Sequence, residues 1–343
     1  VHVVIIGFGA FDRPGKIAYD YPEIDADPLP VAAANISPYL VPGPDVAIMN
    51  RATPLCQSPE IRFGNQPIDG GHLLLDEAER DAFLRESPEA APLLRPFLGA
   101  EEFINGAKRW CLWLKDTPPN VIRSFPEIVR RIEAVKNFRL ASVREATRAL
   151  AKSPSEFAFV SDPASDYLLI PSVSSEKRIY IPIGFMTTET VASNLALVVP
   201  SATHYHFGIL TSEMHMAWVR QVCGRLESRY RYSNKLVYNN FPWPQDATDK
   251  QQAAVAAAAE HVLATRDTFK GQTLADLYDP LAMPKALRDA HKGLDRAVDK
   301  CYRAQPFTSE RQRVEYLFDL YQRLITPLTA ATPKRPARRR PPR

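Results

Sequence analysis

Glu227, Arg229 and Arg231 stand two residues apart in the run LESRYRY, Leu226 to Tyr232. A straight strand there puts the three charged side chains on one face and Leu226, Ser228, Tyr230 and Tyr232 on the other. Same-face neighbours on a strand lie roughly 6.6 Å apart, close to twice the roughly 3.4 Å base-pair step of duplex DNA. The residue types also suit base edges, because guanidinium donates bidentately to guanine O6 and N7 and carboxylate accepts from cytosine N4. Glu227 and Arg229 together match one C·G pair, and Arg231 matches a purine at a neighbouring position. The competing reading is a solvated face carrying a surface salt bridge.

The elements that must position this run flank it. From Ser212 to Leu226 the apolar residues fall at helical spacing, with Met214, Ala217, Trp218 and Val222 on one stripe and Met216, Val219, Cys223 and Leu226 on the next, so a helix buried on two sides is expected. Before it, EFAFVS, DYLLIPSV, KRIYIPIGF, LALVVP and THYHFGIL read as five strands, with Pro182 marking an edge or a bulge. The loop Ser174 to Arg178 offers Ser174, Ser175, Lys177 and Arg178 as phosphate or base contacts; a solvated turn fits equally. Arg225 and Lys235, candidate DNA-backbone contacts, complete a local basic cluster with Arg220, Arg229 and Arg231, and Ser193 and Asn194 are candidates to assist Arg231 in base recognition.

Composition limits the alternatives. The chain has 343 residues, 45% hydrophobic, enough for two or three domains with cores. Its longest apolar run, VHVVIIGFGAF, is too short to span a bilayer, and no signal-peptide pattern opens the chain, so a cytoplasmic location with no membrane partner is expected. The four cysteines lack CxxC spacing, which argues against zinc. Six of the 43 basic residues lie in the tail KRPARRRPPR, which leaves 37 against 39 acids and a net charge of −2 for the rest. Any nucleic-acid face is therefore local. The tail itself reads as disordered.

No catalytic set stands out. His204, His206 and His215, with Glu213 nearby, contain an HxH that admits a metal-dependent hydrolase as an alternative function, but HExxH and paired carboxylates are missing. Gly7 and Gly9 lack the third glycine of a dinucleotide fingerprint, and no methyl-donor glycine motif or PD…ExK nuclease pattern is present. A protein-interaction module is a third class. Elsewhere, Pro14 to Gly64 reads as an irregular linker, IDGGH as a tight turn, and Asp76 to Leu84 as helix. Ser124 with Glu127, Ser142 with Glu145, Thr248 with Gln251 and Ser309 with Gln312 have capping-box spacing. The basic run Arg130, Arg131, Lys136, Arg139, Arg144 and Arg148 reads as helix surface. Helices after Thr248, Pro284 and Ser309 suggest a small bundle.

The segment GRLESRYRYSNKLVYNNFPWP, with SSEKRIYIPIGF, HFGIL, MHMAW, IDGGHLLL, KRWCLWL and LYDPLAMPKALRDAHKGLDRAV in the same order, resembles the C-terminal part of the MmeI-like, or type IIL, restriction-modification enzymes. The resemblance runs from about Val1 to Ile325. It implies an α+β fold, a mixed sheet-and-helix target recognition domain followed by a helical bundle. The expected divisions are 1–13, the last strand of an upstream methyltransferase domain; 14–245, the recognition domain; 246–327, the helical domain; and 328–343, the tail. The implied function is sequence-specific binding of double-stranded DNA at a short asymmetric site, positioning an adenine for an upstream N6-adenine methyltransferase and, in some proteins, a nuclease. Glu227 and Arg229 fall in the base-reading part. No cofactor is expected on this chain; S-adenosylmethionine belongs to the upstream domain.

Overall fold

The computed structural model describes residues 5–21 and 26–330, with side chains as far as 326. Two four-stranded sheets and a series of helices account for most of it. The central sheet has the order Arg62–Phe63, Ala196–Pro200, Tyr167–Pro171, Gly184–Met186, all antiparallel. Its strands are covered on both faces. Leu168, Ile170, Leu197 and Val199 enter the main core, while Tyr167, Leu169, Ala196 and Val198 enter a second cluster, as a period of two requires. The other sheet, Val191–Ala192, Leu94–Leu98, Trp110–Leu112, Leu74–Leu75, packs with helices Glu77–Glu86 and Pro126–Leu140 around Leu73, Cys111 and Ile128. The class is α+β, as expected.

The C-terminal helical region forms as expected and packs directly onto the rest of the chain. Helices Asp249–Asp267, Lys285–Tyr302 and Glu310–Ala330 share one continuous core with the central sheet and with helix Glu213–Val222. Trp218 is fully buried there, its ring centroid 5.6 Å from that of Phe318 and 5.7 Å from that of Tyr321. The Thr248–Gln251 capping box forms, with Thr248 N–H donating to Gln251 Oε1 at 2.9 Å. Leu287, His291, Leu294, Val298 and Cys301 are buried as their spacing predicts. The last helix runs to Ala330, past the expected limit at 327; the tail from 331 lies outside the described residues.

Several elements differ from the expectation. Residues 204–210 form a helix, not a strand, because Thr203 caps it: its N–H donates to His206 Nδ1 at 3.0 Å, histidine taking the place of Glu or Gln in a capping box. Residues 156–161 and 177–183 make no strand. The carbonyls of Ile179 and Ile183 instead accept from Arg220 and Arg266, at 2.9 and 2.6 Å. Residues 5–9 form no strand either, and Ile5 and Phe8 are exposed. The segment 14–64 is more than a linker: it contains the ribbon Lys16–Asp20 with Leu29–Ala33, then sends Val46, Ile48, Cys56 and Ile61 into the main core.

Two expected capping boxes fail. Ser124 spends its hydroxyl on Val121 O, and Ser142 accepts from Arg144 N–H ahead of a five-residue helix. Arg139 is buried rather than on the surface, donating to the carbonyls of Pro67, Ile68, Leu150, Ser153 and Glu156. The IDGGH turn forms as expected, with Asp69 accepting from Gly71 N–H and Leu73 N–H.

Gly208 marks a close approach of helix 204–210 to helices Asp249–Asp267 and Lys285–Tyr302. A Cβ there would meet Val255 Cγ1 at 2.7 Å and Leu294 Cδ1 at 3.1 Å. Gly208→Val should therefore destabilise by about 1–3 kcal/mol through overpacking. Helix circular dichroism and tryptophan fluorescence should still lose signal in one coincident thermal transition. An early, separate melting of the C-terminal helices would show that the shared core is not one cooperative unit.

Candidate nucleic-acid interface

Helix Glu213–Val222 ends because Cys223 turns extended, its N–H still closing the last turn on Val219 O. The helix does not continue to Leu226. The next segment is not one strand but a hairpin, Gly224–Leu226 paired with Arg229–Arg231, with Glu227 and Ser228 as its two-residue turn. This changes which side chains share a face. Leu226 lies opposite Arg229 and Gly224 opposite Arg231, so Leu226, Arg229 and Arg231 point outward together. Arg225 and Tyr230 occupy the other face, and Glu227 stands at the tip. Gly224 lacks a side chain and leaves the Arg231 guanidinium uncovered.

The tip is strained. Glu227 has φ +57°, a conformation that favours glycine and costs a longer side chain roughly 1–3 kcal/mol. Its carboxylate accepts from Arg229 Nη2 at 2.9 Å. Both side chains are largely exposed, 77% and 47%, so the ion pair is worth about 0–1 kcal/mol and does not by itself offset the backbone strain. The two predicted readers are thus joined to each other, with their remaining donor and acceptor sites open to solvent.

The root of the hairpin is buried. Tyr232 N–H donates to Ser172 O at 2.8 Å, and the Tyr232 hydroxyl meets His215 Nε2 at 2.9 Å inside the core. The short strand Val173–Ser174 adds to the hairpin, pairing Ser174 with Tyr230 and Val173 with Arg231. That pairing brings the 174–178 loop alongside. Ser174 is buried, and Ser175 accepts from Lys177 N–H, so these two hydroxyls shape the loop rather than face outward unpaired. Arg178 sits half-buried near Ser174 Oγ, and burial draws its guanidinium below its ordinary pKa, partly offset by Asp279.

Ser193 and Asn194 form the turn before strand Ala196–Pro200. Ser193 is buried with its hydroxyl accepting from Leu195 N–H, so it is a turn residue and not a free reader. Asn194 is half-exposed. The turn meets the hairpin through Ser172, whose hydroxyl donates to Leu195 O and whose carbonyl takes Tyr232 N–H. Lys235 lies in the π-turn Asn234–Tyr238 directly after the hairpin. Around the hairpin, Lys177, Arg231 and Lys235 have exposed side chains with no hydrogen-bond or ion-pair partner among the described residues. Arg225 is different: Nη1 donates to Ser228 O and Nη2 to Arg220 O, both at 3.2 Å.

Two supporting residues, Asn239 and Asn240, are not among the site residues expected from the sequence. Asn239 Nδ2 donates to Arg51 O and Ala52 O, and Asn240 Nδ2 to Met49 O and Lys235 O. They lash the 46–61 strap to the π-turn, which gives the NNFPW run a structural role.

The histidines do not assemble. His204 Nδ1 lies 2.8 Å from Glu260, His206 caps its own helix and His215 is buried on Tyr232. No group of three or more metal-ligating side chains occurs among the described residues.

Burial lowers the His215 pKa to about 3, whereas in the unfolded chain it titrates near 6.5. Its contribution to stability is complete above about pH 6.5 and is lost as pH falls from there toward about 3. The melting temperature should drop on acidification from about pH 7 to about pH 4, and His215→Gln should show a shallower drop. Equal slopes would show that His215 is not a source of the acid sensitivity.

Comparison with known proteins identifies the family. The family model described as the MmeI target recognition domain matches residues 42–245, and that of the MmeI C-terminal domain matches residues 247–329. The chain is 40% identical over 325 residues to DNA methyltransferase A of Bacillus subtilis (strain 168), covering 94% of this chain and 36% of that protein. The solved structure of the type IIL restriction-modification enzyme MmeI in complex with DNA superposes with a TM-score of 0.84 at 43% identity, covering 92% of this chain and 42% of that one. The chain thus spans only about two fifths or less of these relatives. With both matched regions in order and nearly the whole chain accounted for, it belongs to the MmeI family, of which it comprises the target recognition and C-terminal domains.

Proposed function

We propose that this chain reads a short asymmetric site in double-stranded DNA and positions one adenine for an N6-adenine methyltransferase domain lying outside it. Where the whole protein also has a nuclease, the same reading directs cleavage. The carrying observation is the hairpin: an exposed Leu226, Arg229 and Arg231 face with Glu227 at its tip, standing on a buried root. A rigid two-stranded ribbon fits the major groove. Lys177, Lys235 and the Arg178 loop flank it as phosphate contacts, and a cytoplasmic location accompanies such a role.

S-adenosylmethionine is the donor such a reaction requires. Gly7 and Gly9 lie in an exposed segment with no helix after it, which does not make a cradle for it. The donor is therefore assigned to the methyltransferase domain. This chain's part is to bind and orient the duplex.

In detail, Glu227 accepts from cytosine N4 and Arg229 donates to guanine O6 and N7 of one C·G pair beside the target adenine, while Arg231 reads a neighbouring purine with help from Asn194. Exchanging the charges, Glu227→Lys with Arg229→Asp, should switch the preference to G·C at that one position. The disfavoured pair should cost about 1–3 kcal/mol in either protein. Selection from a randomised duplex pool measures this. An unchanged preference would reduce the pair to a surface salt bridge.

A further inference from the structure

The strained turn needs something other than its own ion pair to hold it. When Glu227 and Arg229 are drawn onto a base pair, their mutual contact opens, and the φ +57° backbone at Glu227 loses its side-chain tie. Arg225 supplies another. Its Nη1 donates to Ser228 O within the turn, its Nη2 donates to Arg220 O near the end of helix Glu213–Val222, and its guanidinium carbon lies 4.1 Å from the centroid of the Tyr230 ring. Tyr230 is itself buried and donates its hydroxyl to Glu176 O in the neighbouring loop at 3.4 Å. Arg225 faces away from Leu226, Arg229 and Arg231, since it pairs with Tyr230 on the opposite side of the hairpin.

We propose that Arg225 is a positioning residue for base discrimination, a strut that keeps the Glu227–Ser228 turn in reading shape, and not a phosphate contact. The inference rests on the reading of Glu227 and Arg229 as base readers. Only arginine can do this: the planar fork reaches two carbonyls while its face covers an aromatic ring, whereas a lysine ammonium is a point charge on a flexible stem. The two roles therefore separate cleanly. A phosphate contact depends on charge, acts on all sequences alike and appears in the salt dependence of binding. A strut depends on shape and appears only in discrimination.

The test measures equilibrium binding of the intact protein, across a salt series, to its selected duplex and to the same duplex with the C·G pair inverted. Arg225→Lys and Arg225→Ala should both lose discrimination at that pair by about tenfold, with nonspecific affinity and salt slope as in the wild type. Arg225→Lys behaving as wild type while Arg225→Ala weakens both duplexes equally, with the log–log salt slope reduced by about 0.9, would make Arg225 a phosphate contact and overturn the proposal. A lowered melting temperature with discrimination intact would also overturn it, as a stability role only. Glu227→Ala is the control for the underlying reading. If it leaves discrimination unchanged, the base-reading assignment fails and the strut falls with it, a result distinct from an Arg225 failure alone.

Discussion

Trp218 has no exposed surface, and its indole N–H, which would be costly to bury unpaired, donates to Val237 O at 3.0 Å. That contact fixes helix Glu213–Val222 against the π-turn after the hairpin, so both roots of the hairpin are set by one side chain. Around it the core is continuous. Phe318 and Tyr321 of the last helix close on the same ring, which makes the C-terminal helices part of the scaffold under the hairpin. An exposed, charged, two-stranded ribbon is marginal by itself. Here it borrows rigidity from a core built by distant segments of the chain.

A second device recurs where the backbone is irregular. Arg139 gathers five carbonyls, Arg220 and Arg266 hold those of Ile179 and Ile183, and Arg225 holds those of Arg220 and Ser228. Irregular segments leave carbonyls without ladder partners, and a buried carbonyl must be satisfied. Guanidinium, with five donors in a fixed fork, satisfies several at once and ties segments remote in sequence. The consequence for function is a division among the arginines. Those spent on carbonyls build the frame, while Arg229 and Arg231 keep donors free at its exposed edge.

Much of this is legible in the residues. The alternation in 167–171 and 196–200 and the stripes of 213–222 obey simple periods, and Thr248 with Gln251 announces its helix. The hairpin is not legible, for a definite reason. A two-residue turn interrupts the chain without adding a visible break, and Glu227-Ser228 contains none of the Gly, Asn or Asp that mark such turns. The run therefore reads as a single strand, which puts Leu226 on the wrong face. His206 hides a helix by capping it in place of Glu or Gln. Ser174 and Ser193 look like available hydroxyls because burial by a neighbouring strand or turn is not a local property.

The central claim is that the Glu227–Arg229 ion pair of the free protein opens to engage one base pair. A structure of the protein bound to its selected duplex tests this directly. The account predicts the hairpin in the major groove, the Arg229 guanidinium on guanine O6 and N7, and the Glu227 carboxylate on N4 of the paired cytosine. An intact Glu227–Arg229 pair, with the hairpin clear of the base edges, would contradict it.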